Sequence, residues 1–257
     1  MIPALRFILC VLLLGACRLN AAEFDHDNAE LDRTLRVVVT NGLVDYPALK
    51  KDSSGLDAWL TQAAAVKEDG FAKWSEPQRL AFLINLYNAA TLRLILDHYP
   101  VASIKKIGGW FSGPWSQPVV RLFGKTLTLD VVEHGMLRVQ FDEPRLHFAI
   151  VCAARGCPPL RAEAYTSARL EEQLQDQTRT FLGMTSKNRV DLKTRTLHLS
   201  PIFKWFAGDF IREHGSVAKF VAPYFAADLR KEIEQGGFTI RYTDYDWSLN
   251  EARGQGR

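Results

Sequence analysis

Residues 78–99, QRLAFLINLYNAATLRLILDHY, decide the fold of this chain. Ser75-Glu76-Pro77 places a capping residue and an early helical proline just before the stretch, and Pro100 ends it. The helix predicted by this pattern is apolar nearly all round, which is typical of a helix buried inside a domain. We therefore expect a central helix over about residues 76–98, with the rest of the chain packed around it.

The remaining sequence predicts an α+β fold, a single helix-rich domain with a small β-sheet or hairpins. Val119 to Leu129, with Gly124-Lys125 in the middle, reads as a β-hairpin, and His147 to Cys152 reads as an apolar strand. The closing YDWSLN is aromatic enough to dock on the domain. Helical spacing recurs in further segments, at residues 25–40, from about 56, and at 131–141, 166–183 and 215–236.

The first 22 residues have the pattern of an export signal. Arg6 precedes an apolar run from Phe7 to Leu14, and small residues follow. The signal has two candidate ends: a lipobox-like Leu-Gly-Ala before Cys17, which would make Cys17 a lipidated first residue, or cleavage after Ala22. We expect a periplasmic protein with one globular domain over residues 23–257. It would be soluble or held to the membrane by a lipidated Cys17, and its mature chain would have no transmembrane helix.

The charge and the motifs argue against several function classes. Loss of Arg6 and Arg18 with the signal lowers the formal net charge from +3 to +1, so nothing favours a nucleic-acid partner. No GxGxxG, P-loop or HExxH sequence occurs, and we expect no cofactor and no metal.

The two cysteines of the globular part lie in HFAIVCAARGCPPL, residues 147–160. An oxidising compartment favours a disulfide between Cys152 and Cys157, closed by a turn at Gly156. Alternatively, Cys152 is a nucleophile delivered by a strand end, which requires a nearby base. A metal pair is disfavoured, because Cys-x4-Cys is wider than the usual spacing and no second cluster completes it.

The predicted base for Cys152 is His134. In a regular strand His147 would point away from Cys152, which leaves His147 as a hydrogen-bonded structural histidine or part of a binding surface. Arg138 lies one turn after His134 and Glu133 beside it, so both can orient the imidazole. The alternative is that Glu133, His134 and Arg138 form a buried polar network that holds a helix to the core.

Two asparagines and two tryptophans complete the candidate site. Asn85 and Asn88 share a face of the apolar helix, where they either tie backbone segments or orient a catalytic histidine. Trp110 and Trp115 lie in a loop rich in glycine and proline, as a binding surface or as a lid over the core. Asp209 is predicted to cap a helix or to pair with an arginine, and no catalytic role is indicated for it.

Six blocks in order resemble the uncharacterised domain-of-unknown-function 547 family. The resemblance covers about residues 42–250, and the blocks are LINLYNA, YPVASIKKI, LTLDVVEHGMLR, HFAIVCAARGCPPL, LSPIFKWFAGDF and YDWSLN. It implies a bacterial exported protein of a family without an established activity, so the reaction has to be argued from the residues.

Two functions are consistent with these patterns. The first is a thiol-dependent hydrolase or acyl transferase acting on an amide or ester of a small-molecule or peptide-like substrate. In it Cys152 attacks, His134 is the base, and Asn85 or Asn88 orients the base or polarises the carbonyl. The second is a non-catalytic periplasmic binding or assembly protein with a structural disulfide between Cys152 and Cys157.

Overall fold

The computed structural model describes residues 24–109 and 112–252, and helices dominate these ranges. The α-helices are α1 (Ala29–Val38), α2 (Tyr46–Lys51), α3 (Ser54–Ala65), α4 (Glu68–Phe71), α5 (Glu76–His98), α6 (Arg138–Gln140), α7 (Leu146–Ala149), α8 (Leu170–Leu182), α9 (Ile202–Trp205), α10 (Ala207–His214), α11 (Val217–Val221) and α12 (Ala227–Glu234). A π-helix spans Val131–Leu137, and 3-10 turns span Ile104–Lys106, Pro114–Ser116 and Ala222–Tyr224.

The strands are short and form small separate sheets. β1 (Val39–Thr40) pairs antiparallel with β2 (Leu43–Val44), and β3 (Val120–Leu122) with β4 (Lys125–Leu127). In the third sheet β6 (Thr196–Leu199) lies between an antiparallel β5 (Arg189–Asp191) and a parallel β7 (Thr239–Tyr242). The predicted α+β fold is confirmed.

The central helix α5 begins where its capping residues predict. The Ser75 hydroxyl accepts the Gln78 N–H, and the Gln78 side-chain oxygen accepts the Ser75 N–H at 2.9 Å, a capping box. Among the described residues this is the one helix long and apolar enough to cross a membrane by length and composition. However, 89% of its apolar window is buried inside the protein, as in the core helix of a soluble domain.

Two apolar cores meet beside residues 146–151. The larger core surrounds α5 and includes Leu146, Ala149, Ile150 and Val151. The second core contains Phe148, which packs with four other phenylalanines, Phe181, Phe203, Phe210 and Phe220. This segment therefore fixes the position of one core relative to the other.

The predicted strand from His147 to Cys152 is wrong. Leu146–Ala149 is a single helical turn, and the chain becomes extended only from Ile150. The Asn88 side chain takes the place of a partner strand, because its amide donates to Ala149 O and accepts from Val151 N–H, each at 2.9 Å. A side chain that satisfies both backbone groups removes the need for a β-ladder at this point.

The segment 245–250 docks as predicted. It lies along the loop between the cysteines, where Arg155 N–H donates to Ser248 O at 2.8 Å and Gly156 N–H to Asp246 O at 2.7 Å. Position 156 requires glycine, because a Cβ there would lie 2.7 Å from a ring carbon of Tyr245. Glycine thus allows the tail to lie directly on this loop.

Candidate functional site

A cavity of about 260 Å³ lies where the π-helix, the cysteine loop, α9 and the C-terminal tail come together. Both cysteines line it, together with acidic, imidazole and aromatic side chains from segments distant in sequence. This combination of a thiol pair with titratable neighbours in one concave space makes it the candidate site. Its lining residues are Tyr87, Trp115, Asp130, Glu133, His134, His147, Ile150, Cys152, Cys157, Pro158, Ile202, Trp205, Phe206, Tyr245 and Trp247.

Cys152 and Cys157 are in direct contact as free thiols. Their sulfurs are 2.6 Å apart, and the Cys152 N–H donates to the Cys157 sulfur at 2.9 Å. The Tyr245 hydroxyl lies 3.2 Å from each sulfur. Cys152 is half-buried, whereas Cys157 is only 5% exposed. The pair is within bridging reach, and the disulfide stays a prediction.

The surroundings of the two sulfurs favour ionisation of Cys157 over ionisation of Cys152. Burial opposes ionisation of Cys157, but the hydrogen bonds that its sulfur accepts from Cys152 and Tyr245 outweigh burial and lower its pKa to about 7. The hydrogen bond to Cys157, followed by burial, raises the pKa of the Cys152 thiol. Lys187 lies close by, with its ammonium donating to Cys157 O at 2.5 Å. Of the two sulfurs, the buried Cys157 therefore ionises more readily than Cys152.

His147 is buried against a carboxylate. Its Nε2 lies 2.7 Å from Asp209 Oδ2, and its ring stacks on Phe206 with the ring centroids 4.0 Å apart. Burial lowers the pKa of His147, so the ring is neutral at pH 7. A neutral ring that donates from Nε2 to Asp209 keeps a lone pair on Nδ1, and that buried nitrogen has no hydrogen-bond partner. This is the arrangement of a general base held by a carboxylate.

Arg138 fixes the carboxylate of Asp209. Its guanidinium donates to both Asp209 oxygens, at 2.6 and 3.1 Å. Burial opposes ionisation of Asp209, but the hydrogen bonds from His147 and Arg138 hold its pKa well below the ordinary range. The Asp209 side chain is 12% exposed, so this charge acts in a largely water-free setting. The prediction that Asp209 pairs with an arginine is confirmed.

His134 lines the same cavity in a different setting. Its Nδ1 lies 3.1 Å from Arg138 Nη1, and its Nε2 lies 4.0 Å from Asp130 Oδ1. Its side chain is 46% exposed, and no hydrogen bond joins it to Cys152 in the described residues. Glu133 is buried in the cavity wall and accepts the Tyr87 hydroxyl at 3.0 Å. His134 and Arg138 therefore interact as predicted, while the role of His134 as base for Cys152 stays a prediction.

Asn85 and Asn88 tie backbone segments, which is the alternative to the catalytic role. Asn85 exchanges two hydrogen bonds with the backbone of Tyr165, at 2.8 and 2.9 Å, and Asn88 does the same for Ala149 and Val151. Both amides are used by these contacts, and neither residue lines the cavity. The expectation that one of them orients a histidine or polarises a carbonyl is therefore corrected: Asn88 holds residues 149–151 on α5, and Asn85 holds residue 165 there.

An aromatic wall, formed by Trp115, Trp205, Tyr245 and Trp247, borders the cavity. The Trp247 ring centroid lies 6.0 Å from that of Trp115, 5.9 Å from that of Trp205 and 4.5 Å from that of Tyr245. Trp205 is 48% exposed, so part of this wall faces solvent. Trp110, predicted as a second binding residue in the loop, lies outside the described residues.

The described residues contain no group of three or more His, Cys, Asp or Glu side chains that could hold a metal ion. Sequence reasoning missed the roles of Asp209 and Tyr245 beside this site. The partners of these two residues lie 62 and 88 or more positions away, so no local spacing pattern connects them.

The geometry defines an α+β domain with a thiol pair and a buried imidazole–carboxylate pair around one cavity. Residues 71–182 match the family model described as "Protein of unknown function, DUF547", so the chain is similar to that family over these residues. The match contains His134, His147 and both cysteines, whereas Asp209 and Tyr245 follow it in the chain. No curated protein and no solved structure matches the chain.

Proposed function

We propose that this protein is a thiol-dependent hydrolase or acyl transferase that acts on an amide or ester, with Cys152 as nucleophile and His147 as base. The observation that carries the proposal is the buried His147–Asp209 pair: His147 lines the same cavity as Cys152, and its buried Nδ1 has no hydrogen-bond partner. A nucleophile, a base and a carboxylate that orients the base are the three groups that acyl transfer by a thiol requires.

The reaction follows the chemistry of these groups. His147 Nδ1 removes the Cys152 proton, directly or through one water, as the sulfur attacks the substrate carbonyl. A carbon–sulfur bond forms, the bond to the leaving group breaks, and the imidazolium returns its proton to that leaving group. Water, or an acceptor amine or alcohol, then attacks the thioester with His147 again as base, and releases the acyl group from Cys152. Asp209 stabilises the imidazolium that forms in both steps.

Histidine variants separate the two candidate bases. With an activated ester such as p-nitrophenyl acetate as probe, His147→Gln should reduce kcat/KM by about 10²-fold or more, because the thiol loses its base. His134→Gln, the matched control, should change it less than about threefold, since His134 is half-exposed and interacts with Arg138 and Asp130. Because burial lowers the pKa of His147, the acidic limb of the wild-type pH–rate profile should lie below about pH 6.5. The reverse pattern would make His134 the base.

The exposed part of the aromatic wall favours a second candidate, a non-catalytic binding or assembly protein. Trp205 is 48% exposed next to the cavity, and exposed aromatic rings can bind apolar or planar groups without any chemistry. Absence of any thiol-dependent turnover in the wild-type protein would leave this candidate in place of the hydrolase.

We further propose that the protein is exported to the periplasm, on the pattern of residues 1–22, which lie outside the described residues. In cell fractionation, the wild-type protein should be absent from the cytoplasm. If Cys17 is lipidated, Cys17→Ala should move the protein from the membrane to the soluble periplasmic fraction, because the anchor is lost. A wild-type protein that is already soluble, and unchanged in Cys17→Ala, would instead indicate cleavage near Ala22.

A further inference from the structure

The two thiols of the cavity differ in ways that hydrolysis does not require. The Cys157 sulfur accepts hydrogen bonds from the Cys152 N–H and the Tyr245 hydroxyl and is only 5% exposed, whereas Cys152 is half-buried. A hydrolase needs one activated sulfur at the cavity surface and gains nothing from a stabilised thiolate behind it. Two thiols with these separate properties fit thiol–disulfide exchange instead.

We propose that Cys152 and Cys157 form a redox pair that oxidises polypeptides carrying two thiols, with Cys152 as the sulfur that the substrate attacks. This activity rests on the contacts of Cys157 and not on His147 or Asp209, so it stands independently of the hydrolase proposal.

A substrate dithiol would be oxidised by two successive thiol–disulfide exchanges. In the oxidised protein a disulfide joins Cys152 and Cys157. A substrate thiolate attacks the Cys152 sulfur, a mixed disulfide forms, and the bond between the two cysteines breaks with its electron pair on Cys157. The second substrate thiolate then attacks the substrate sulfur of the mixed disulfide and releases Cys152, which takes up a proton. The substrate dithiol is oxidised to a disulfide, and the protein disulfide is reduced to the dithiol.

The surroundings of Cys157 make it the leaving group. A thiolate leaves faster and is a more stable product when hydrogen bonds hold its charge. The Cys152 N–H at 2.9 Å is a rigid donor, and the Tyr245 hydroxyl at 3.2 Å adds a second. These donors stabilise the reduced pair and so favour oxidation of the substrate. Cys157 is only 5% exposed, which keeps the substrate from attacking the wrong sulfur.

The shape of the site indicates a polypeptide substrate. A cavity of about 260 Å³ is small for a drug-sized ligand but accepts a single cysteine side chain with its neighbour. The aromatic wall beside it, with Trp205 exposed, offers apolar contact to the residues that flank the substrate cysteine. These features fit a site that binds one cysteine of an extended polypeptide substrate.

The full protein can be tested with a one-cysteine peptide whose thiol is bonded to thionitrobenzoate. The reduced Cys152 should attack the peptide sulfur, release thionitrobenzoate and form the same mixed disulfide from the opposite direction. In the wild-type protein Cys157 should then displace the peptide and close the disulfide. In Cys157→Ala the adduct on Cys152, located by peptide mapping, should persist at least tenfold longer. In Cys152→Ala adduct formation should be at least tenfold slower, because the remaining sulfur is buried.

Two further variants sharpen the test. Tyr245→Phe removes one donor to the thiolate, so its pair should be at least threefold more oxidised in a glutathione buffer of fixed composition. No hydrogen bond joins His147 to either sulfur in the described residues, so His147→Gln should stop ester hydrolysis while the oxidised fraction of the pair in the same glutathione buffer stays unchanged. Failure of hydrolysis alone would therefore overturn only the hydrolase.

Four results would overturn the redox pair: an adduct located on Cys157, a wild-type adduct as long-lived as that of Cys157→Ala, an unchanged equilibrium in Tyr245→Phe, or a shifted equilibrium in His147→Gln. Circular dichroism of each variant checks that it is folded before the comparison is made.

Discussion

Replacing Cys152 by alanine should reduce hydrolysis of the ester probe to the uncatalysed rate, a loss of at least about 10³-fold. The proposed reaction passes through a thioester on this sulfur, and no other accessible side chain in the cavity provides an equivalent nucleophile with a base beside it. The measurement is the steady-state rate with p-nitrophenyl acetate, corrected for the protein-free reaction.

Cys152→Ser provides the matched control for packing, because it keeps the shape and hydrogen bonding of the side chain. Its hydroxyl is a much weaker nucleophile than a thiol in this setting, so this variant should also be close to background. Burst kinetics with the wild-type protein should give one acyl group per chain, and mass spectrometry should place it on Cys152. A variant without Cys152 that keeps most of the wild-type rate would refute the hydrolase.

Replacing Asp209 by alanine should lower the free energy of unfolding by about 2–3 kcal/mol. The substitution leaves His147 Nε2 buried without its partner, and it leaves Arg138 without the carboxylate that both its nitrogens contact. Asp142→Ala is the control, because the Asp142–Arg212 pair has 63% and 52% exposed side chains and should contribute less than about 1 kcal/mol. Urea unfolding at neutral pH measures both.

The effect of Asp209 should depend on pH in a defined direction. The pKa of Asp209 is lower in the folded protein than in the unfolded chain, so its contribution is present above the ordinary carboxyl pKa and is lost as the pH falls. The difference in unfolding free energy between the wild type and Asp209→Ala should therefore shrink below about pH 4. An equal loss of stability in Asp142→Ala, or a difference that stays constant into acid, would contradict the buried pair.

The parts of the fold that depend on local sequence were predictable. The α5 boundaries follow from Ser75, Pro77 and Pro100, whose effects act within one helical turn, and the β3–β4 hairpin follows from Gly124-Lys125. Local patterns fail where a distant side chain takes over backbone hydrogen bonding. Asn88 does so for residues 149–151, and this changes the apolar run after His147 from a strand into a helical turn.

The wrongly predicted strand also led to His134, and not His147, as the predicted base for Cys152. Strand alternation would place His147 on the face away from Cys152, but the helical turn Leu146–Ala149 has no such alternation. Asp209 lies 62 positions after His147, so no local spacing connects the two residues, and only the packing of α10 against residues 146–149 brings them together. The cysteine pair itself was visible in the sequence, since only four residues lie between its members and one of them is a glycine.

The docking of the C-terminal tail, residues 245–250, determines the order in which the parts of the cavity come together during synthesis. A ribosome makes the chain from its N-terminus, so both cysteines, His147 and Asp209 leave the ribosome before Tyr245, which follows Cys157 by 88 residues. Until the tail settles on Gly156, the Cys157 sulfur lacks the Tyr245 hydroxyl, and the loop between the cysteines lacks its backbone partners Asp246 and Ser248. The two thiols therefore acquire their different reactivities only after the tail has docked. Before that, the chain already carries both cysteines, but Cys157 lacks the hydrogen bond from Tyr245 that distinguishes it from Cys152.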